Sequence, residues 1–290
     1  MLLIVSIILL SILALLPDAD VDHDAGYTAS ELSIRETVDG SVISTSHVNP
    51  DGVITDAIDM GYATVCRMQD DDDRVVEERY LDANGYPVAR YENFHGLSYE
   101  YDETSTVITY LDVEGNPIIR SDGYSTIVRT QVDGRAYDDF FYDLNGQQVQ
   151  CSGGYYGLRR GYNAEGQNIS LAFLDKDGHA VCTSSGYAIM TYQRDMNGTV
   201  VGKQYFDTDG NPVRSSLGKY GEFYQRNEQG YTGQITYLDA DGNPAPTNAG
   251  YTILKCTYHR DGTADTDMYF DANGNPKALS KGQYGIKRSG

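Results

Sequence analysis

The chain repeats itself, and that periodicity constrains its fold more than any other feature. The phrase Tyr205-Phe206-Asp207-Thr208-Asp209-Gly210-Asn211-Pro212 returns as Tyr237-Leu238-Asp239-Ala240-Asp241-Gly242-Asn243-Pro244 and as Tyr269-Phe270-Asp271-Ala272-Asn273-Gly274-Asn275-Pro276. Upstream lie Tyr80-Leu81-Asp82, Tyr110-Leu111-Asp112, Phe141-Tyr142-Asp143 and Phe173-Leu174-Asp175. The Asp positions 82, 112, 143, 175, 207, 239 and 271 are separated by 30, 31, 32, 32, 32 and 32 residues. A weaker copy, Asn49-Pro50-Asp51-Gly52, precedes them. A fixed period in this range means stacked copies of one small unit, each burying its apolar face against its neighbours.

Each unit reads as a hairpin. After Gly186-Tyr187, residues 187–194 (YAIMTYQR) and 199–206 (TVVGKQYF) are strands, with Asp195-Met196-Asn197-Gly198 turning between them. Tyr, Val, Ile, Thr and Phe fill a pleated surface. An Asx residue followed by Gly closes a tight turn, because Gly supplies the positive φ and the Asx side chain bonds its own backbone. The proline after the second turn has no N–H for a ladder, so it limits the strand that follows. The fold class is therefore all-β: an elongated, solenoid-like array of about eight tandem hairpins after an N-terminal apolar helix.

A finer alternation suggests a period of about 64 residues. Units open either with Gly-Tyr (61–62, 123–124, 186–187, 250–251) or with an aromatic or His before Gly (95–96, 156–157, 220–221, 284–285). The residue two before the aromatic of the turn phrase alternates too. It is Glu78, Asp139, Lys203 and Asp267 in one set, and Ile108, Leu171 and Ile235 in the other. Residues i and i−2 share a strand face. The alternation suggests two hairpin rows meeting on opposite sides of a core. A β-propeller-like closure, with two units per four-stranded blade, is the alternative.

Residues 1–16 (MLLIVSIILLSILALL) are almost wholly apolar and are followed by Pro17 and an acidic run. Residues 1–17 read as a signal peptide, a membrane anchor or the last part of a longer membrane region. All three place Asp18 onward outside the cytosol, extracellular or at the cell surface, and the acidic flank agrees. Residues 18–25 form an acidic linker, 26–60 an atypical capping repeat without the aromatic phrase, and 61–290 the repeat array. The last residues look like the opening of another unit, with no terminal cap.

The formal charge is −20 and no basic cluster is visible, which argues against nucleic acid as a partner. The five histidines fall at unrelated repeat positions, and no G-x-S-x-G or H-E-x-x-H motif occurs. Carboxylate pairs recur along the turns and single out no hydrolytic site. The expectation is no enzyme and no cofactor. Cys66, Cys151, Cys182 and Cys256 lack metal-knuckle spacing, and Cys151 and Cys182 are offset by one residue in consecutive repeats.

Tyr99-Glu100-Tyr101-Asp102 and Tyr142-Asp143-Leu144-Asn145-Gly146 resemble the YD repeats of bacterial rearrangement-hot-spot and related surface proteins. The longer unit, Gly-Tyr-Ala through Tyr-Phe-Asp-x-Asp-Gly-Asn-Pro-Val, is similar to tandem hairpin repeats on surface proteins of Gram-positive bacteria. The resemblance covers residues 26–290 and implies an all-β repeat architecture and an exported location. It carries over no catalytic residue. Here Gly is followed mostly by Asn-Pro rather than Arg-Leu, so a large sealed shell is not implied. Choline- and glucan-binding repeats share the hairpin logic but use Trp cages, and this chain has no Trp.

The regular column Tyr80, Tyr110, Phe141, Phe173, Tyr205, Tyr237 and Tyr269 is expected to stack between units as core. The opening tyrosines Tyr62, Tyr124, Tyr187 and Tyr251 are the candidates for sugar-binding platforms, with packing the simpler reading. The pairs Asp175/Asp177, Asp207/Asp209 and Asp239/Asp241 have a weak calcium-loop look, but Ca²⁺ wants six to eight oxygens. Other copies carry Asn84, Asn145 or Asn273 at the second position, which suits a turn better than a dication. The functional expectation is a non-catalytic module of a bacterial surface protein, binding cell-wall or host polysaccharide through repeated shallow sites. Its alternative is a purely structural stalk of a larger membrane protein, with the N-terminal apolar segment contacting the membrane.

Overall fold

A computed structural model describes residues 26–90 and 93–288. The apolar segment 1–17, its expected helix and the linker 18–25 lie outside the described residues. Among the described residues no helix is long and apolar enough to cross a membrane.

Seventeen strands form one antiparallel sheet. The first nine are β1 (Ser33–Asp39), β2 (Val42–Val48), β3 (Thr64–Gln69), β4 (Val75–Leu81), β5 (Gly96–Tyr101), β6 (Ser105–Leu111), β7 (Thr126–Val132), β8 (Arg135–Tyr142) and β9 (Gly157–Tyr162). They continue as β10 (Asn168–Leu174), β11 (Ile189–Arg194), β12 (Val200–Phe206), β13 (Gly221–Arg226), β14 (Thr232–Leu238), β15 (Ile253–Tyr258), β16 (Ala264–Phe270) and β17 (Gly285–Lys287). Every strand pairs with the next in sequence, within and between hairpins. No residue-by-residue ladder joins β1 to β17 among the described residues, so the sheet is open. The propeller-like closure does not form. Nor do two hairpin rows: one ribbon runs from end to end.

A size swap across the strand pairs explains the two-unit alternation instead. Gly96, Gly157, Gly221 and Gly285 face Arg79, Phe140, Gln204 and Met268 on the preceding strand. Thr126, Ile189 and Ile253 occupy the same position in the other units and face Thr109, Ala172 and Thr236. Large opposite Gly alternates with small opposite β-branched. A Cβ on Gly157 would lie 2.4 Å from the Asp139 carbonyl oxygen and 2.7 Å from Phe140 Cδ1. Cross-strand neighbours 4.5–5.5 Å apart compete for one volume, so the bulk sits on one side or the other.

The turn phrase folds back on its own strand. Asp207 N donates to Asn211 O at 2.9 Å, Phe206 bridges to Pro212, and Val213 N donates to Tyr205 O at 3.0 Å. The segment after the turn makes this one bridge and then turns again, and Gln148 and Ala180 bridge in the same way, so the limit on this strand does not depend on the proline. Gly210, Gly242 and Gly274 hold φ of 82°, 84° and 80°. At the opposite edge, the last residue of the first strand often reaches back to the previous unit. Tyr101, Tyr162 and Tyr258 donate their hydroxyls to the carbonyls of Val75, Ala136 and Thr232 at 2.7, 2.6 and 3.0 Å, each across 26 residues. Arg194 donates in the same way to Asn168 O at 2.9 Å.

Gly242→Val forces a β-branched residue to positive φ and is expected to lower stability by about 1–3 kcal/mol. Ala240→Val, on the same exposed turn, is expected to stay within about 0.5 kcal/mol. Urea titration of the two variants checks the difference.

Candidate functional site

The ring column lines one face of the ribbon, beneath the folded-back turn segments. It is longer than the turn phrase alone indicates. His47, Tyr62, Tyr80, Phe94, Tyr110, Tyr124, Phe141, Tyr155, Phe173, Tyr187 and Tyr205 follow one another with ring centroids 4.3–6.1 Å apart. Rings from the unit openings alternate with rings from the turn phrases. All seven phrase rings are buried, from Tyr205 at 2% exposed to Tyr80 and Tyr110 at 8%. Geometric pairs of this kind contribute about 0.5–1.5 kcal/mol each beyond the area they bury.

The structure places the four opening tyrosines inside this column. Tyr62 lies between His47 and Tyr80, Tyr124 between Tyr110 and Phe141, Tyr187 between Phe173 and Tyr205, and Tyr251 between Tyr237 and Tyr269. Arg120 donates to the hydroxyls of Tyr110 and Tyr124 at 2.7 and 2.9 Å. Burial raises the Tyr62, Tyr187 and Tyr251 phenols above their ordinary range and pushes Tyr124 up to about 12. The opening register also needs refinement: Phe94 and Tyr155, not His95 and Tyr156, align with these tyrosines.

Two opening positions, Lys219 and Gln283, hold no ring. At Lys219 the run of ring-to-ring contacts breaks, stopping at Tyr205 and resuming at Tyr237. The gap is filled by charge. Glu222 on β13, 5% exposed, accepts from Tyr205 at 3.0 Å and from Tyr224 at 2.5 Å. Lys203 on β12 lies 3.3 Å from it, and the Lys219 ammonium also contacts it directly. That ammonium lies 4.7 Å from the centre of the Tyr237 ring, continuing the column as a cation–π contact. Burial alone would raise the Glu222 carboxyl, but Lys203, Lys219 and the Tyr224 hydroxyl bring it down to about 2. Burial lowers Lys219, with Glu222 opposing the shift.

A second charged node sits at Asp139 on β8, 2% exposed. Arg129 on β7 reaches it through two nitrogens at 2.8 and 2.9 Å, and Arg160 on β9 through one at 2.7 Å. Burial works to raise this carboxyl, and the two guanidiniums hold it low. Sequence reasoning noticed Glu78, Asp139, Lys203 and Asp267 but read them as a depth pattern. The missed signal was the inversion: Lys203 replaces an acid, and its cross-strand neighbour Glu222 supplies one.

The Asp-Gly loops bind their own backbone. Asp175 Oδ1 accepts from the N–H groups of Asp177 and His179, both at 2.9 Å. Asp207 Oδ1 does so with Asp209 and Asn211, and Asp239 Oδ1 with Asp241 and Asn243, at 2.8–3.0 Å. The His179 and Asn211 N–H groups hold the Asp175 and Asp207 carboxyls below the usual carboxylate range. Asp177, Asp209 and Asp241 are exposed. Among the described residues no three His, Cys, Asp or Glu side chains converge as a metal site.

All four cysteines are free thiols; Cys151 is buried and Cys182 exposed. Two open grooves lie at similar places in the repeat. One, of about 460 Å³, is lined by Val107, Pro117, Val128, Tyr142 and Leu144 among others. The other, of about 230 Å³, is lined by Tyr220, Leu238, Ala245 and Pro246 among others.

No protein-family profile matches the chain, and no curated protein matches it. Among solved structures it is similar to a chain of the Photorhabdus luminescens Tc holotoxin pore, at 12% identity and a TM-score of 0.28. The match covers 84% of this chain and 11% of that one, so this chain spans about a ninth of its neighbour's length.

Tyr237→Ala is expected to cost about 3–5 kcal/mol, as for other large aromatic truncations in a core. Tyr251, half-buried, is expected to cost less on truncation; one calorimetric comparison decides the order. Glu222→Gln leaves two ammoniums facing a neutral amide and is expected to destabilise by about 3–5 kcal/mol. The Glu222 carboxyl is lower in the folded state than when unfolded. Its stabilisation is therefore complete above the ordinary glutamate range and is lost as pH falls from about 4.5 toward 2. Denaturation midpoints between pH 7 and 2 are expected to fall more steeply in the parent chain than in Glu222→Gln.

Proposed function

We propose that this chain is a non-catalytic repeat module of a larger bacterial surface protein, displayed outside the cytosol and acting as a structural stalk. One observation carries this reading: the most periodic aromatic feature is committed to packing between units. Rings that serve as sugar platforms need an open face, and most rings of this column have neighbours on both sides. The excess of acidic residues, formal charge −20, suits a soluble, self-repelling exposed module.

A second reading is a polysaccharide-binding module for cell-wall or host glycan. It draws on the two open grooves, which combine ring or apolar walls with peptide edges. Many weak sites on one polymer gain avidity, so shallow grooves at repeat intervals suffice.

A glycan array and a cell-wall pull-down with the folded chain separate the two. The stalk reading expects no retained ligand. Retention that is lost in Tyr142→Ala while the melting temperature holds supports the groove reading instead. Turnover of any polysaccharide by the purified repeats contradicts both.

A further inference from the structure

The first unit touches a hairpin near the far end of the array. Arg260 lies in the tip between β15 and β16, and its Nη2 donates to both carboxylate oxygens of Glu31 at 2.7 Å, across 229 residues. Glu31 is already positioned for this, because it accepts from the N–H and the hydroxyl of Thr28, each at 2.9 Å. Next to it, Ala29 N donates to Asp59 Oδ1 at 2.7 Å. Asp59 is also one of the charges that, after burial, raise the phenol of Tyr231. Tyr231 closes the preceding tip, between β13 and β14. The tip carrying Arg260 therefore reaches the start of the array through a side chain, with no strand ladder between the partners.

We propose that the Glu31–Arg260 contact is a latch holding the open ribbon in a coiled state that exchanges with an uncoiled one. The curl arises from the right-handed twist summed over successive strand pairs, which brings the ends close but does not join them. Both partners are partly exposed, at 47% for Arg260 and 43% for Glu31. An exposed pair contributes only a modest bias. Against it stands the self-repulsion of a chain with formal charge −20, which favours separated ends. Small opposing effects leave both states accessible, so the end-to-end spacing can follow a local change at either partner. For a spacer, that makes length adjustable without unfolding a hairpin.

The test places spin labels at the exposed positions Asp51 and Glu228, introduced as unnatural side chains so that the native cysteines stay untouched, and reads their distance distribution. The parent chain is expected to give a dominant short peak with a minor longer one. Glu31→Gln is expected to raise the open-to-closed ratio by up to about fivefold, the weight of an exposed ion pair. Glu31→Arg and Arg260→Glu alone are expected to lengthen and broaden the peak, and the double swap to restore the short one. Far-ultraviolet circular dichroism confirms that each variant keeps its strands. Unchanged distances in both single swaps, or a double swap that stays open with its strands intact, overturn the proposal.

Discussion

Ring-to-ring contact between successive hairpins is the interaction on which the rest of this structure depends. An isolated two-stranded hairpin is marginal in water. Here most hairpins present one ring from the opening and one from the turn phrase, and the two lie next to each other in the column. Burial of the rings needs a constant rise from unit to unit. The backbone turns supply it, because the phrase aspartates lock their loops through bonds to their own N–H groups. Loop, strand and column thus depend on one spacing, and the spacing settles at 32 residues.

Charge is buried in this column only where it is answered. Asp139 draws one arginine from its own hairpin and one from the next. Glu222 draws lysines from the preceding strand and from its own opening. Such pairs add little net stability over apolar packing, because desolvation offsets much of the attraction. Their consequence here is order: a hairpin carrying Lys203 requires a successor carrying Glu222, and one carrying Asp139 requires Arg160. Units that look interchangeable by their turns are therefore distinguishable by their neighbours.

Much of this was legible in the amino-acid order. The Asp spacing, the Asx-Gly turns and the aromatic doublets lead directly to tandem hairpins, since each is a local rule. The single-ribbon topology was not legible. The alternation of Gly96 and Thr126, or of Glu78 and Ile108, reads equally well as two opposed rows until the cross-strand partners are known. Only the register shows that Gly157 answers Phe140 and Ile189 answers Ala172. The site candidates fared in the same way. Tyr62, Tyr124, Tyr187 and Tyr251 carry no sequence mark that separates an exposed platform from a packed ring. The Lys203–Glu222 node hides because its members belong to different units. The encounter of Glu31 with Arg260 follows from accumulated twist, which no local pattern encodes.

If rings couple the units, damage to one ring must spread to both neighbouring hairpins. Native-state hydrogen exchange on Phe173→Ala measures this directly, because it reads each strand separately. Phe173 lies on β10, between Tyr155 and Tyr187. The account predicts reduced protection in β9–β10 and, alongside it, in β7–β8 and β11–β12, with β1–β2 unchanged. Loss confined to β9–β10 would contradict it, since the hairpins would then be stable one by one.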